Sequence, residues 1–204
     1  MSNISDYVIP VNDGNGIIIG DIFITAGHVA DGYSYISFTI GDDFYHFSPT
    51  DAILFLQYTE RTADGLFDDI AIYRLNKRYN DLSFDTSLPD IGSVLQSISI
   101  KHRSAERGNI TSSQRIFDKL PIESHELITT KATVCDIKGN FIFCNMEVAL
   151  EKGCSGSPLL YNNRVIGILH GGLKDDNNVP DRGKLCAFQS IGSIKSALED
   201  NGIL

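Results

Sequence analysis

Tryptophan is absent from this chain of 204 residues, and proline occurs only six times. Collagen-like and proline-rich linker compositions are thereby excluded. The four cysteines, Cys135, Cys144, Cys154 and Cys186, show no C-x-x-C spacing. That excludes a small disulfide-stapled scaffold and a zinc ribbon, and the thiols read as reduced, in a cytosol-like compartment. No run approaches the ~18 apolar residues of a membrane-spanning helix. The first ten residues hold Asp6 but no Lys or Arg, so they do not read as a secretory signal. On this reading the protein is expected to be cytoplasmic and not bound to a membrane.

Positive charge is also scarce. Seventeen Lys+Arg stand against 26 Asp+Glu, a net charge of -9, which argues against a dedicated nucleic-acid binder. Lys101, Arg103, Arg107 and Arg115 cluster in one polar stretch without interleaved aromatics, and they read as a solvated loop. His46, His102 and His125 have no metal-ligand spacing, so no metal site is expected. Gly14-Asn15-Gly16 precedes Ile17-Ile18-Ile19, which reads as a strand. A nucleotide-binding glycine loop would need a helix there.

What is present is β pattern. Apolar residues make up 42% of the chain, enough for a sizeable core. Short runs rich in β-branched and aromatic residues (Ile17–Ile19, Ile22–Ile24, Tyr35–Ile40, Ile53–Leu56, Ile70–Leu75) are separated by Gly, Asp and Asn turns. Further strands are expected at Val94–Ile100, Lys131–Ile137, Phe141–Val148, Pro158–Tyr161, Val165–His170 and Leu185–Phe188. Hairpin turns are expected at Lys138-Gly139-Asn140 and Tyr161–Arg164. Many short strands at this spacing suggest barrels or sandwiches. Helical spacing is confined to Ile191, Ile194 and Leu198, with Ser190 or Ser193 as the cap and Gly202 at the end. The polar segments at Lys77–Asp90 and Lys101–Ser113 read as a connector and a long loop.

Three motifs carry chemistry: Thr25-Ala26-Gly27-His28, Asp69-Ile70-Ala71, and Gly153-Cys154-Ser155-Gly156-Ser157-Pro158. A serine hydroxyl needs a base to become a nucleophile, and the base needs a carboxylate to fix its tautomer. Asp68 competes with Asp69 for that carboxylate. Adjacent strand side chains face opposite ways, so only one of them can face His28, and Asp69 leads the apolar strand.

In the order His, Asp, Ser, these motifs resemble those of the trypsin- or chymotrypsin-like serine peptidases, T-A-[AG]-H, D-[IL]-A and G-x-S-G-[GS]-P. Gly167-Ile168-Leu169-His170-Gly171-Gly172 is similar to the family's substrate-binding strand. The resemblance implies an all-β fold, two Greek-key β-barrels of the chymotrypsin-like type with a short C-terminal helix. Residues 1–80 would form the first barrel, 81–90 a connector, and 91–204 the second barrel with the helix. It implies a serine endopeptidase acting on polypeptides without a cofactor, with His28, Asp69 and Ser155 as the triad and the N–H groups of Gly153 and Ser155 as the oxyanion hole. The competing class is a non-catalytic protein-binding module on the same fold.

The same resemblance places Ala149 at the floor of the P1 pocket, with Leu150, Leu169, His170, Gly171 and Gly172 around the substrate. These residues suggest an apolar or uncharged P1 preference, with Glu151 as the alternative partner for a basic side chain. His170 matches a position that supports the triad Asp; the rival reading turns it to the substrate. Cys154 stands where activatable members hold the Asp that pairs with a new N-terminus, so no such activation switch is expected here.

Overall fold

The computed structural model describes residues 3–31, 33–57, 68–102, 125–150, 153–173 and 184–204. The N-terminal half holds β1 (Val8–Val11), β2 (Gly14–Ile19), β3 (Ile22–Ala26), β4 (Ile36–Ile40), β5 (Asp43–Phe47), β6 (Leu54–Gln57) and β7 (Asp69–Arg74), with the short helix α1 (Gly27–Asp31) after β3. The C-terminal half holds β8 (Val94–His102), β9 (His125–Lys138), β10 (Phe141–Met146), β11 (Pro158–Tyr161), β12 (Arg164–Gly172), β13 (Leu185–Ser190) and the helix α2 (Ile191–Asp200).

The strands that read as unbroken apolar runs are buried on both faces, as such runs require. Along β2, β3 and β7, alternate residues serve two different cores. Ile18, Phe23, Ala71 and Tyr73 point into the N-terminal half, against Ile36, Phe38 and Tyr45. Ile17, Ile19, Ile22, Ile24, Ile70 and Ile72 point the other way. They meet Leu160, Val165 and Ile168 of the C-terminal half and Ile191, Ile194 and Leu198 of α2. β11 and β12 repeat the device, with Leu159, Ile166 and Leu169 facing a third core. Each large aliphatic side chain so buried stabilises the fold by about 1.5–3 kcal/mol.

The C-terminal half closes as a six-stranded barrel in the order β10-β13-β12-β11-β8-β9. The N-terminal half is joined less completely by hydrogen bonds. Among the described residues it consists of the sheet β1-β2-β3-β7-β6 and a separate β4-β5 hairpin. That hairpin packs against the sheet through Phe38, whose ring centroid lies 4.5 Å from that of Phe23.

Sequence cues set the ends of elements. Asn162 and Asn163 take φ of 51° and 59°, the left-handed pair that a tight hairpin needs. Ser190 caps α2 by accepting from Ser193 N at 3.2 Å, and beyond the helix Gly202 adopts a φ of 67°. Strands β1 and β5 and helix α1 were not expected from the sequence. The polar stretch from Lys101 begins with the last two residues of β8, and the rest of it lies outside the described residues. Among the described residues no helix is long and apolar enough to cross a membrane.

Candidate active site

β3 stops at Ala26 and the chain turns at once into α1, which puts His28 beside the start of β7, where Ala26 pairs with Ile70. Two bonds lock His28 to Asp69. The His28 backbone N donates to Asp69 Oδ1 at 2.7 Å, and His28 Nδ1 makes a very short contact with Asp69 Oδ2. Asp69 is 2% exposed, whereas the His28 side chain is 47% exposed. A buried carboxylate at Nδ1 favours the tautomer protonated there and leaves Nε2 to accept a proton.

The two adjacent aspartates face different partners, Asp69 at the start of β7 and Asp68 just before it. Asp68 faces the C-terminal half, where its Oδ1 accepts from Gln189 Nε2 at 2.9 Å and from Asn140 Nδ2 at 3.2 Å. Gln189 was not singled out in the sequence, yet it is 1% exposed and its Oε1 accepts from Asp69 N at 3.1 Å. One side chain on β13 therefore engages both residues of the Asp68-Asp69 pair across the junction. Its signal was a lone amide in the apolar strand Leu185–Ser190, since a buried polar group must find partners.

The loop bearing Ser155 turns on two glycines, with φ of 101° at Gly153 and 84° at Gly156. Its downstream edge is sewn to β12. Gly156 N donates to Leu169 O, and Leu169 N donates to Ser157 O, each at 2.8 Å. Behind it, Ser99 Oγ donates to Ser157 Oγ at 2.8 Å. Cys154 is 1% exposed and its side chain is packed in the core of the C-terminal barrel. Among the described residues, the N–H groups of Gly153 and Ser155 donate to no protein acceptor, while those of Gly156 and Ser157 do.

The loop and α1 meet at Gly14. A Cβ there would lie 2.5 Å from Val29 Cγ2 and 2.7 Å from Ser155 O, so His28's neighbour and the Ser155 loop crowd one residue. Ser155 Oγ and His28 are not hydrogen-bonded to each other in this structure.

The residues expected around a substrate fall into two groups. Leu150 and Leu169 are buried in the C-terminal core, with Cys154, Met146 and Cys186 in the same cluster, and Ala149 is half-buried. His170, Gly171 and Gly172 lie at the open end of β12. The β12–β13 register shifts between Leu169 and Gly171, which makes His170 the extra residue of a bulge. Its ring centroid lies 6.4 Å from that of His28, and its ring meets the Phe141 ring edge-on at 5.7 Å. Both Asp69 oxygens are engaged by His28. Gly171 and Gly172 pair with Ala187 and Cys186 on one edge, and among the described residues no strand covers the other. Glu151 lies outside the described residues.

Comparison with protein families matches the Trypsin family over residues 3–186. Among solved structures, the chain is similar to neuropsin, described as a serine protease expressed in the limbic system of mouse brain. The TM-score is 0.64 at 16% identity, covering 97% of this chain and 95% of that one. It is similar to the Rv3671c protein of Mycobacterium tuberculosis, in an inactive serine-to-alanine mutant form, at a TM-score of 0.60 and 17% identity over 98% and 88% of the two chains. A scabies mite inactivated protease paralogue matches at a TM-score of 0.58 and 16% identity, over 98% and 96%. At such identities these likenesses bear on the fold alone. A search of curated proteins finds no match.

Proposed function

The chain belongs to the trypsin family, and from that premise we propose that it is a serine endopeptidase working through an acyl-enzyme, with residues 1–80 and 91–204 as its two halves and 81–90 as the connector. The observation that carries the reading is the buried Asp69 carboxylate facing His28 Nδ1, beside a loop whose Gly153 and Ser155 N–H groups are unclaimed among the described residues.

Ser155 Oγ attacks the scissile carbonyl carbon while His28 Nε2 takes its proton. The carbonyl π electrons move to oxygen, and the Gly153 and Ser155 N–H groups hold that oxyanion. Removing such a donor typically costs about 3 kcal/mol in the transition state. As the intermediate collapses, the C–N bond breaks and His28 passes the proton to the leaving amine. Water then repeats the sequence on the acyl-enzyme and frees Ser155. Asp69 stabilises the imidazolium at each stage and does not itself take the proton. The open edge of His170–Gly172 offers backbone groups for a substrate added as a strand.

The P1 side chain is read as apolar. Ala149, Leu150 and Leu169 provide no charge to pair with Arg, Lys or Glu, and burying an unpaired charge costs several kcal/mol. Peptide-library profiling of the purified chain tests activity and preference together. Cleavage after Leu, Phe or Met, lost in Ser155→Ala and His28→Ala, is the expected result. A profile led by Arg or Lys would point to Glu151, and one led by Glu or Gln to His170. Peptide binding without cleavage would favour the non-catalytic module.

A further inference from the structure

Asn15, on β2 of the N-terminal half, is wholly buried, and all four of its hydrogen-bonding groups are engaged. Its backbone N donates to Ser155 O at 2.7 Å, and its side-chain Nδ2 donates to Gly153 O at 2.9 Å. Its Oδ1 accepts from Ile100 N of β8 at 2.9 Å, and its backbone O accepts from Thr25 Oγ1 at 2.6 Å. One residue thus grips two carbonyls of the Ser155 loop while β3 and β8 grip it in turn. The fit is close, since a Cβ on Gly156 would stand 1.9 Å from Asn15 O.

We propose that Asn15 is a positioning residue, one that holds the oxyanion-binding N–H groups of Gly153 and Ser155 in their working orientation from across the junction of the two halves. The proposal rests on the peptidase reading above. Peptide groups are planar and rigid. Fixing the carbonyls of Gly153 and Ser155 fixes the Gly153-Cys154 and Ser155-Gly156 peptides. The Cys154-Ser155 peptide, which carries the Ser155 N–H, lies between those two anchors. Gly153 has no Cβ to restrict its rotation, so an external clamp is the means of keeping it at a φ of 101°. Cys154 supplies no carboxylate for an ion pair that could do this instead, whereas Asn15 supplies a neutral clamp present in the intact chain. Ordering of the loop then needs no proteolytic step.

The test uses Asn15→Asp, which keeps an acceptor for Ile100 N but loses the donor to Gly153 O, and Asn15→Ala. Both should lower kcat/KM by about 10- to 100-fold, the scale of a catalytic group displaced by about 1 Å. The loss should fall on kcat, with KM within about twofold. Affinity for a peptide boronate, which mimics the oxyanion, should weaken by the same factor as kcat. A residue that serves only stability would not tie these two quantities together. Variants with wild-type kcat and boronate affinity overturn the proposal.

If neither variant folds, amide exchange by NMR on the wild-type chain decides. The Asn15 side-chain amide should exchange far more slowly than those of the exposed Asn162 and Asn163, and equal rates overturn the proposal. A wild-type chain that neither cleaves peptides nor reacts with a phosphonofluoridate overturns the peptidase reading and this proposal with it. A chain that does both, with Asn15 variants equally active, overturns this proposal alone.

Discussion

Gly27 has no room for a side chain over Asp69. A Cβ at residue 27 would stand 2.6 Å from Asp69 Oδ1 and 3.2 Å from both Ile70 N and Leu56 O. The carboxylate oxygen under pressure is the one that accepts from His28 N. The glycine therefore lets β3 approach β7 closely enough for His28 to be held at both its backbone and its ring.

Gly27→Ala should consequently leave a folded protein with a misplaced carboxylate. Overpacking of this kind costs about 1–3 kcal/mol. Peptidase activity should fall by about 10- to 100-fold, since displacement of a catalytic group by about 1 Å has that effect. Steady-state kinetics beside far-UV circular dichroism would check it. Full activity with an unchanged melting temperature would show that the strands yield freely at this contact.

Gln189→Leu tests the link between β13 and the Asp68-Asp69 pair. The substitution leaves the buried Asp69 N–H without its acceptor, and a group stranded in that way costs about 1–3 kcal/mol. The urea midpoint should fall accordingly. Activity should fall further than stability alone explains, because the Asp69 backbone is part of what orients His28. A variant as stable and active as wild type would remove Gln189 from the account.

Cys144 provides a prediction in pH. It is fully buried, and burial, aided by the nearby thiols of Cys135 and Cys186, pushes its thiol up to about 12. The folded value lies above the unfolded one, so the contribution to stability is present below the unfolded thiol range. It is lost as pH rises from about 9 towards about 12. Native protein at pH 8 should resist iodoacetamide at this site, as judged by peptide mass spectrometry. Cys144→Ala should flatten the alkaline limb of the stability profile. Rapid alkylation of folded protein would contradict the buried placement.

The legible parts of this molecule are local in sequence, and the illegible parts are not. The motifs around His28, Asp69 and Ser155, the strand runs, the Asn162-Asn163 turn and the Ser190 cap each depend on neighbours a few residues away. The partners of Asn15 and Gln189 lie on strands remote in the chain, so nothing beside either residue announces them. The bulge at His170 escaped for another reason. Simple alternation gives every residue of β12 a face, whereas the register shift sets His170 outside that count. The docking of the β4-β5 hairpin on the N-terminal sheet was also hidden, because among the described residues it is held by aromatic packing and not by a ladder that pattern could reveal.

The central claim is that Ser155 is a nucleophile activated by His28, and an active-site phosphonofluoridate tests it most directly. Mass spectrometry of the treated, digested protein should find one phosphonyl group per chain, on Ser155. The label should be missing from His28→Ala and reduced in Asp69→Asn, with both variants folded. An unlabelled wild-type chain, or labelling of Ser155 that persists without His28, would contradict the account.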